Sequence, residues 1–176
     1  YIQVIGAIYR NSAPTDIAVT AAGGLVGEVV QVWRPKELNT HESEWGFSCM
    51  SYEISGALGI KMANPDKEVI SFVGDGSYLL NNTDIYSSVI TKNKLIIIVC
   101  DNGGFAVIKS SKTPGLVDVN FAKHAESMGA KSEHVTSISD LEEAFKRAKK
   151  SDVTYVISIK THAYKWVEGS AFWDSP

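Results

Sequence analysis

Apolar positions along the chain follow two rhythms. Ile2, Ile5, Ala7, Ile8 and Tyr9 fall on one helical stripe, which predicts a helix already under way at the first residue. Ile17-Ala18-Val19-Thr20, Val69-Ile70-Ser71-Phe72-Val73, Leu95-Ile96-Ile97-Ile98-Val99-Cys100 and residues 153–159 are instead short, nearly unbroken apolar runs. Such runs suit strands covered on both faces.

The segments between them complete the pattern. Ala21-Ala22-Gly23-Gly24 reads as a flexible turn before a second apolar stretch to Trp33, an order of strand, glycine turn and helix that suits phosphate binding. Residues 34–45 are polar, contain Pro35 and read as a connecting loop. Residues 46–63 carry Ile54, Leu58 and Met62 at helical spacing, with small Gly56, Ala57 and Gly59 allowing close packing, and Asn64-Pro65-Asp66 stops that helix. Residues 81–91 read as a crossover helix. Ser139-Asp140-Leu141-Glu142 has capping-box spacing ahead of the apolar face Leu141, Ala144, Phe145 and Ala148.

Strands alternating with helices predict an α/β fold, a doubly wound, mainly parallel sheet with helices on both faces, as one domain over residues 1–176. Seventeen basic residues against twenty acidic ones give a net charge of −3 with no long block of either sign. That excludes a broad nucleic-acid or membrane surface, so a phosphate ligand needs a local site. Cys49 and Cys100 lie far apart beside apolar residues and read as reduced, buried thiols. With no run of membrane-spanning length and no signal-like opening, the expectation is a soluble, cytoplasmic protein. The opening at Tyr1, inside a helical stripe, predicts a piece of a longer chain.

The candidate chemistry sits at two turns. Gly74-Asp75-Gly76 follows one strand, and Asp101-Asn102-Gly103-Gly104 follows the next. Either alone is an ordinary turn former. In a parallel βαβ unit, however, both turns emerge on the same sheet edge, where open α/β folds place ligands. The 26 residues between Asp75 and Asn102 are ample for a helical crossover. Neighbouring strand ends lie about 4.8 Å apart, so two side-chain oxygens can converge on one magnesium ion. Gly74, Gly76 and Ser77 then offer backbone N–H groups to a diphosphate, helped by the dipole of the crossover helix. A dipole contributes only about 0.3–1 kcal/mol at an exposed site, which leaves most of the work to the metal.

This arrangement resembles the diphosphate-binding domain of thiamine diphosphate enzymes. The resemblance implies that the Asp75 and Asn102 side chains and the Gly104 carbonyl bind Mg2+, with Asp101-Asn102 in place of the usual Asn-Asn pair. It implies that Ser48-Cys49-Met50 meets the aminopyrimidine, Ser48 through its backbone and Met50 as the wedge that bends the cofactor. Acetolactate synthases carry Gln and His where this chain has Gly24 and Leu25, so diphosphate contacts at Gly24 would come from the backbone.

The runs at residues 19–24, 44–53, 73–78 and 164–167 resemble one branch in particular, hydrolases that open a polyhydroxylated cyclic 1,2-diketone in myo-inositol catabolism. An acetolactate synthase-like enzyme or a 2-oxoacid decarboxylase is the alternative, and a non-catalytic relative of the fold a further one. The family further implies a pyrimidine-binding domain, supplied by a partner subunit in a homodimer or homotetramer, that carries the activating glutamate. Glu44 and Glu53 read as solvated or helix-surface carboxylates and His41 as an exposed loop histidine. His124, His134 and His162 show no metal-ligand spacing. The stretch 108–117 looks shorter than in that branch.

Overall fold

The computed structural model describes residues 1–104 and 117–162, which carry six parallel strands in the order β2-β1-β3-β4-β6-β5. The elements run α1 (Ile2–Arg10), β1 (Ile17–Thr20), α2 (Gly23–Val32), β2 (His41–Ser43), α3 (Tyr52–Ala63), β3 (Val69–Gly74), α4 (Asp75–Leu80), α5 (Thr83–Ile90), β4 (Ile96–Asp101), α6 (Phe121–Ser127), β5 (Lys131–Val135), α7 (Ile138–Lys149) and β6 (Tyr155–Lys160). This is the doubly wound sheet expected.

Side-chain alternation divides the core into two layers. Ile70, Phe72, Ile96, Ile98 and Ile157 face α1, α2 and α7, whereas Val69, Val73, Ile97, Val99 and Val156 face α3, α4, α5 and α6. The central strands therefore bury both faces, which is why they read as unbroken apolar runs. The direction of winding reverses between β1 and β3: α2 leaves β1 on one face and leads outward to β2, while α4 leaves β3 on the other and leads to β4. A crevice opens at the carboxyl ends of strands where connections part this way.

Several expectations need correction. Residues 34–45 are not all loop, because His41–Ser43 pairs in parallel with β1, placing Thr20 beside Ser43. A three-residue edge strand is held by backbone pairing and needs no apolar run. Lys131–Val135 is likewise a polar edge strand, paired among the described residues with β6 alone. The helix expected over 46–63 begins at Tyr52, and Met62 is exposed while Ile54 and Leu58 are buried. Gly23 and Gly24 open α2 instead of preceding it. The crossover splits into α4 and α5, so the helix that begins at Asp75 is the six-residue α4. The cap of α7 is Ser137, whose hydroxyl oxygen accepts the Asp140 N–H at 3.0 Å. The 108–116 part of the short stretch and the run at 164–167 lie outside the described residues.

Candidate functional site

β3 and β4 are hydrogen-bonded neighbours, with Gly74 opposite Cys100. The turns that follow them emerge side by side, as the spacing predicted. Asp75 opens α4 with 3% of its surface exposed, and its Oδ2 accepts the Gly104 N–H at 2.5 Å across the two turns. Gly103 and Gly104 hold φ of 82° and 129°, a left-handed path that favours glycine at both positions.

Asp101 is occupied by the fold itself. Its Oδ1 accepts the Gly103 N–H at 3.0 Å, and its Oδ2 pairs with Lys160 Nζ at 2.7 Å, which also reaches Asp118. Asn102 is differently placed: its Nδ2 donates to the Tyr1 hydroxyl, and its Oδ1 is buried with no partner among the described residues. Asp75 Oδ1 is also buried and unpartnered. Burial, reinforced by the nearby Asp101 charge and opposed by the Gly104 and Gly76 N–H groups, pushes the Asp75 carboxyl up to about 6. Burial pushes the Tyr1 hydroxyl up to about 12.

These orphaned oxygens have company. Thr20 Oγ1 at the end of β1 and Ser43 Oγ at the end of β2 are buried without partners too. Four adjacent strands thus end in a buried oxygen acceptor, two of them, Asp75 Oδ1 and Asn102 Oδ1, on neighbouring turns. Leaving the Asp75 and Asn102 oxygens unpaired is costly, and a hard, oxygen-seeking cation between the two turns satisfies them. The donor set therefore fits magnesium. No group of three or more His, Cys, Asp or Glu side chains suited to a metal occurs among the described residues.

The other predicted site residues lie on the same edge. Ser48 has φ of 51°, Met50 is 38% exposed beside it, and Ser51 at φ 79° caps α3. Met50 is therefore not core filler. Glu44 braces this segment, its carboxylate accepting the Phe47 N–H at 2.9 Å and the Cys49 N–H at 2.7 Å, which hold its pKa below the usual range. The Ser77 hydroxyl is spent internally: it donates to Glu53 Oε2 at 2.8 Å and accepts the Ser51 N–H at 2.6 Å. Gly76 is buried within α4, and an added Cβ at Gly74 would meet open space.

Three residues depart from expectation. Glu53 is 1% exposed, not solvated, because its helix turns that face toward β3, and burial raises its pKa. The sequence signal was a carboxylate flanking the Ile54, Ala57 and Leu58 stripe. His41 lies in β2 with a buried Nε2 that has no partner among the described residues, and burial lowers its pKa. Cys49 is exposed, while Cys100 is buried and pushed up to about 12 by that burial. His124 bonds the Tyr78 hydroxyl and His134 the Ser158 hydroxyl, both packing roles.

Several known proteins resemble this chain. Residues 21–159 match the family model for the thiamine pyrophosphate enzyme, C-terminal TPP binding domain. The 3D-(3,5/4)-trihydroxycyclohexane-1,2-dione hydrolases of Bacillus licheniformis and Clostridium tetani are 33% and 34% identical over 95% and 97% of this chain. The chain spans only 29% and 30% of their lengths. Among solved structures, a thiamine diphosphate-dependent 4-hydroxybenzoylformate decarboxylase of Rhodococcus jostii superposes with a TM-score of 0.78 at 23% identity, over 92% of this chain and 32% of that one. A thiamin diphosphate-dependent enzyme of Mycobacterium smegmatis does so at 0.79 and 20%, over 90% and 31%. At those identities the likeness is one of fold. No helix among the described residues is long and apolar enough to cross a membrane.

Proposed function

Because this chain belongs to the thiamine pyrophosphate enzyme family, as its C-terminal TPP binding domain, we propose that the edge at Asp75 and Asn102 holds the cofactor's diphosphate through Mg2+. The observation that carries this is a pair of buried oxygens without a partner among the described residues, Asp75 Oδ1 and Asn102 Oδ1, on adjacent strand ends. With the Gly104 carbonyl they form an all-oxygen ligand set of the kind magnesium takes while keeping water and phosphate oxygens in its shell. Backbone groups at Gly24, Gly74, Gly76 and Ser77 line the diphosphate, and Gly74 keeps the edge free of a side chain. Ser48 and Met50 meet the aminopyrimidine.

Bound thiamine diphosphate supplies an electron sink for breaking a carbon–carbon bond beside a carbonyl. What this chain adds is orientation, since an anchored diphosphate fixes where the reactive carbon lies. We propose further that the chain is the carboxy-terminal domain of a larger enzyme that hydrolyses 3,5/4-trihydroxycyclohexane-1,2-dione in myo-inositol catabolism. This rests on the named relatives at about a third identity. The rest of the active site, including the activating glutamate, belongs to a pyrimidine-binding domain of a partner subunit in a cytoplasmic homodimer or homotetramer.

Two assays test the reading. Asp75→Ala in the full-length enzyme is expected to abolish magnesium-dependent cofactor binding in calorimetry, and unchanged affinity would refute the metal assignment. Ring opening of the cyclic diketone against turnover of pyruvate separates the hydrolase from a synthase or decarboxylase.

A further inference from the structure

Glu53 lies in the first turn of α3, almost wholly buried. A buried carboxylate is unfavourable unless its oxygens are paired. Its partners come from elements that would otherwise be independent. Oε1 accepts the N–H of Ala22, in the turn after β1, at 3.2 Å, and Oε2 accepts the Ser77 hydroxyl, in the first turn of α4, at 2.8 Å. Its main-chain carbonyl accepts the Ser71 hydroxyl, within β3, at 2.7 Å. None of these partners carries a charge. Removing a charge that has no counter-charge often stabilises a fold, so stability alone does not account for a glutamate here.

The Ser77 hydroxyl has one proton, which it donates in its hydrogen bond to Glu53. The oxygen's lone pairs are thereby turned to the Ser51 N–H at 2.6 Å, and the Ser51 hydroxyl returns to the Ser77 carbonyl at 3.0 Å. Ser51 directly follows Met50, and both Ser48 and Ser51 hold positive φ, a conformation that persists only where surrounding contacts impose it. The segment 48–51, left-handed at Ser48 and Ser51, is thus fastened to the diphosphate turn through a hydroxyl whose direction Glu53 sets.

We propose that Glu53 is a positioning residue that keeps the aminopyrimidine segment, Ser48 to Met50, in register with the turns after β1 and β3. The two ends of thiamine diphosphate are then received at a fixed separation. This rests on the cofactor reading above. A carboxylate suits the task because it accepts from two elements at once and brings no proton of its own to place.

The test compares two ligands in the full-length enzyme, thiamine diphosphate with Mg2+ and inorganic diphosphate with Mg2+, by calorimetry, with melting curves to confirm folding. Glu53→Ala is expected to weaken thiamine diphosphate about tenfold or more while changing inorganic diphosphate less than about threefold. Glu53→Gln, which keeps an acceptor for Ala22 but turns an NH2 donor toward Ser77, is expected to recover only part of the loss. Should the alanine variant not fold, Glu53→Asp, too short to reach both partners, reads the same split. Equal weakening of both ligands, or none, in a folded variant overturns the positioning role while wild-type binding still upholds the cofactor reading. A wild-type enzyme that binds neither ligand overturns both.

Discussion

The Asp75 carboxylate accepts the Gly104 N–H at 2.5 Å through Oδ2, leaving Oδ1 buried and unpaired. One oxygen ties the turn after β3 to the turn after β4, and the other remains for a ligand. Asp75→Asn keeps an acceptor for Gly104 and removes a buried charge beside Asp101. Without metal, this variant is expected to be more stable than the wild type by about 1 kcal/mol, about 2–4 °C in Tm for a chain of this size. With Mg2+ and thiamine diphosphate the order reverses. Melting curves with and without the ligands check both halves of the prediction.

Glu53 predicts a pH dependence. Burial raises its folded pKa above that of the unfolded carboxyl, near 4.3. Its stabilising contribution is therefore complete below the unfolded pKa and is lost as pH rises through the folded one. The stability of Glu53→Gln relative to the wild type is expected to improve from pH 4 to pH 7. Denaturant titrations across that range read the difference, and a difference that stays flat would contradict it.

Lys92 offers a test remote from the site. It follows α5 at φ 56°, with its N–H on the Val89 carbonyl at 3.2 Å and the Asn93 N–H on the Ser88 carbonyl at 2.9 Å. This is the helix ending in which glycine is preferred. Lys92→Gly is expected to stabilise the fold by about 0.5–1 kcal/mol, measured by chemical denaturation, with cofactor binding unchanged.

What could be read from the sequence follows the physics of each element. β1, β3, β4 and β6 announce themselves because both of their faces are buried, and Leu141, Ala144, Phe145 and Ala148 declare α7 by their spacing. The shared edge of Asp75 and Asn102 follows from parallel pairing alone. His41–Ser43 and Lys131–Val135 stay hidden because edge strands are specified by main-chain pairing, which any side chain permits. Ser139 has the spacing of a cap, yet Ser137 fills the role, since helix ends depend on the path of the preceding chain. Glu53 is the largest miss. Its burial depends on donors at Ala22 and Ser77, 31 and 24 residues away, that only the folded chain brings together.

The most direct test of the central claim is a calorimetric titration of the full-length enzyme with thiamine diphosphate, first with Mg2+ and then with the metal removed by a chelator. Saturable binding that requires the metal, and that Asn102→Ala weakens at least about tenfold, is the predicted result. Binding that is equally tight without the metal, or indifferent to Asn102, would contradict it.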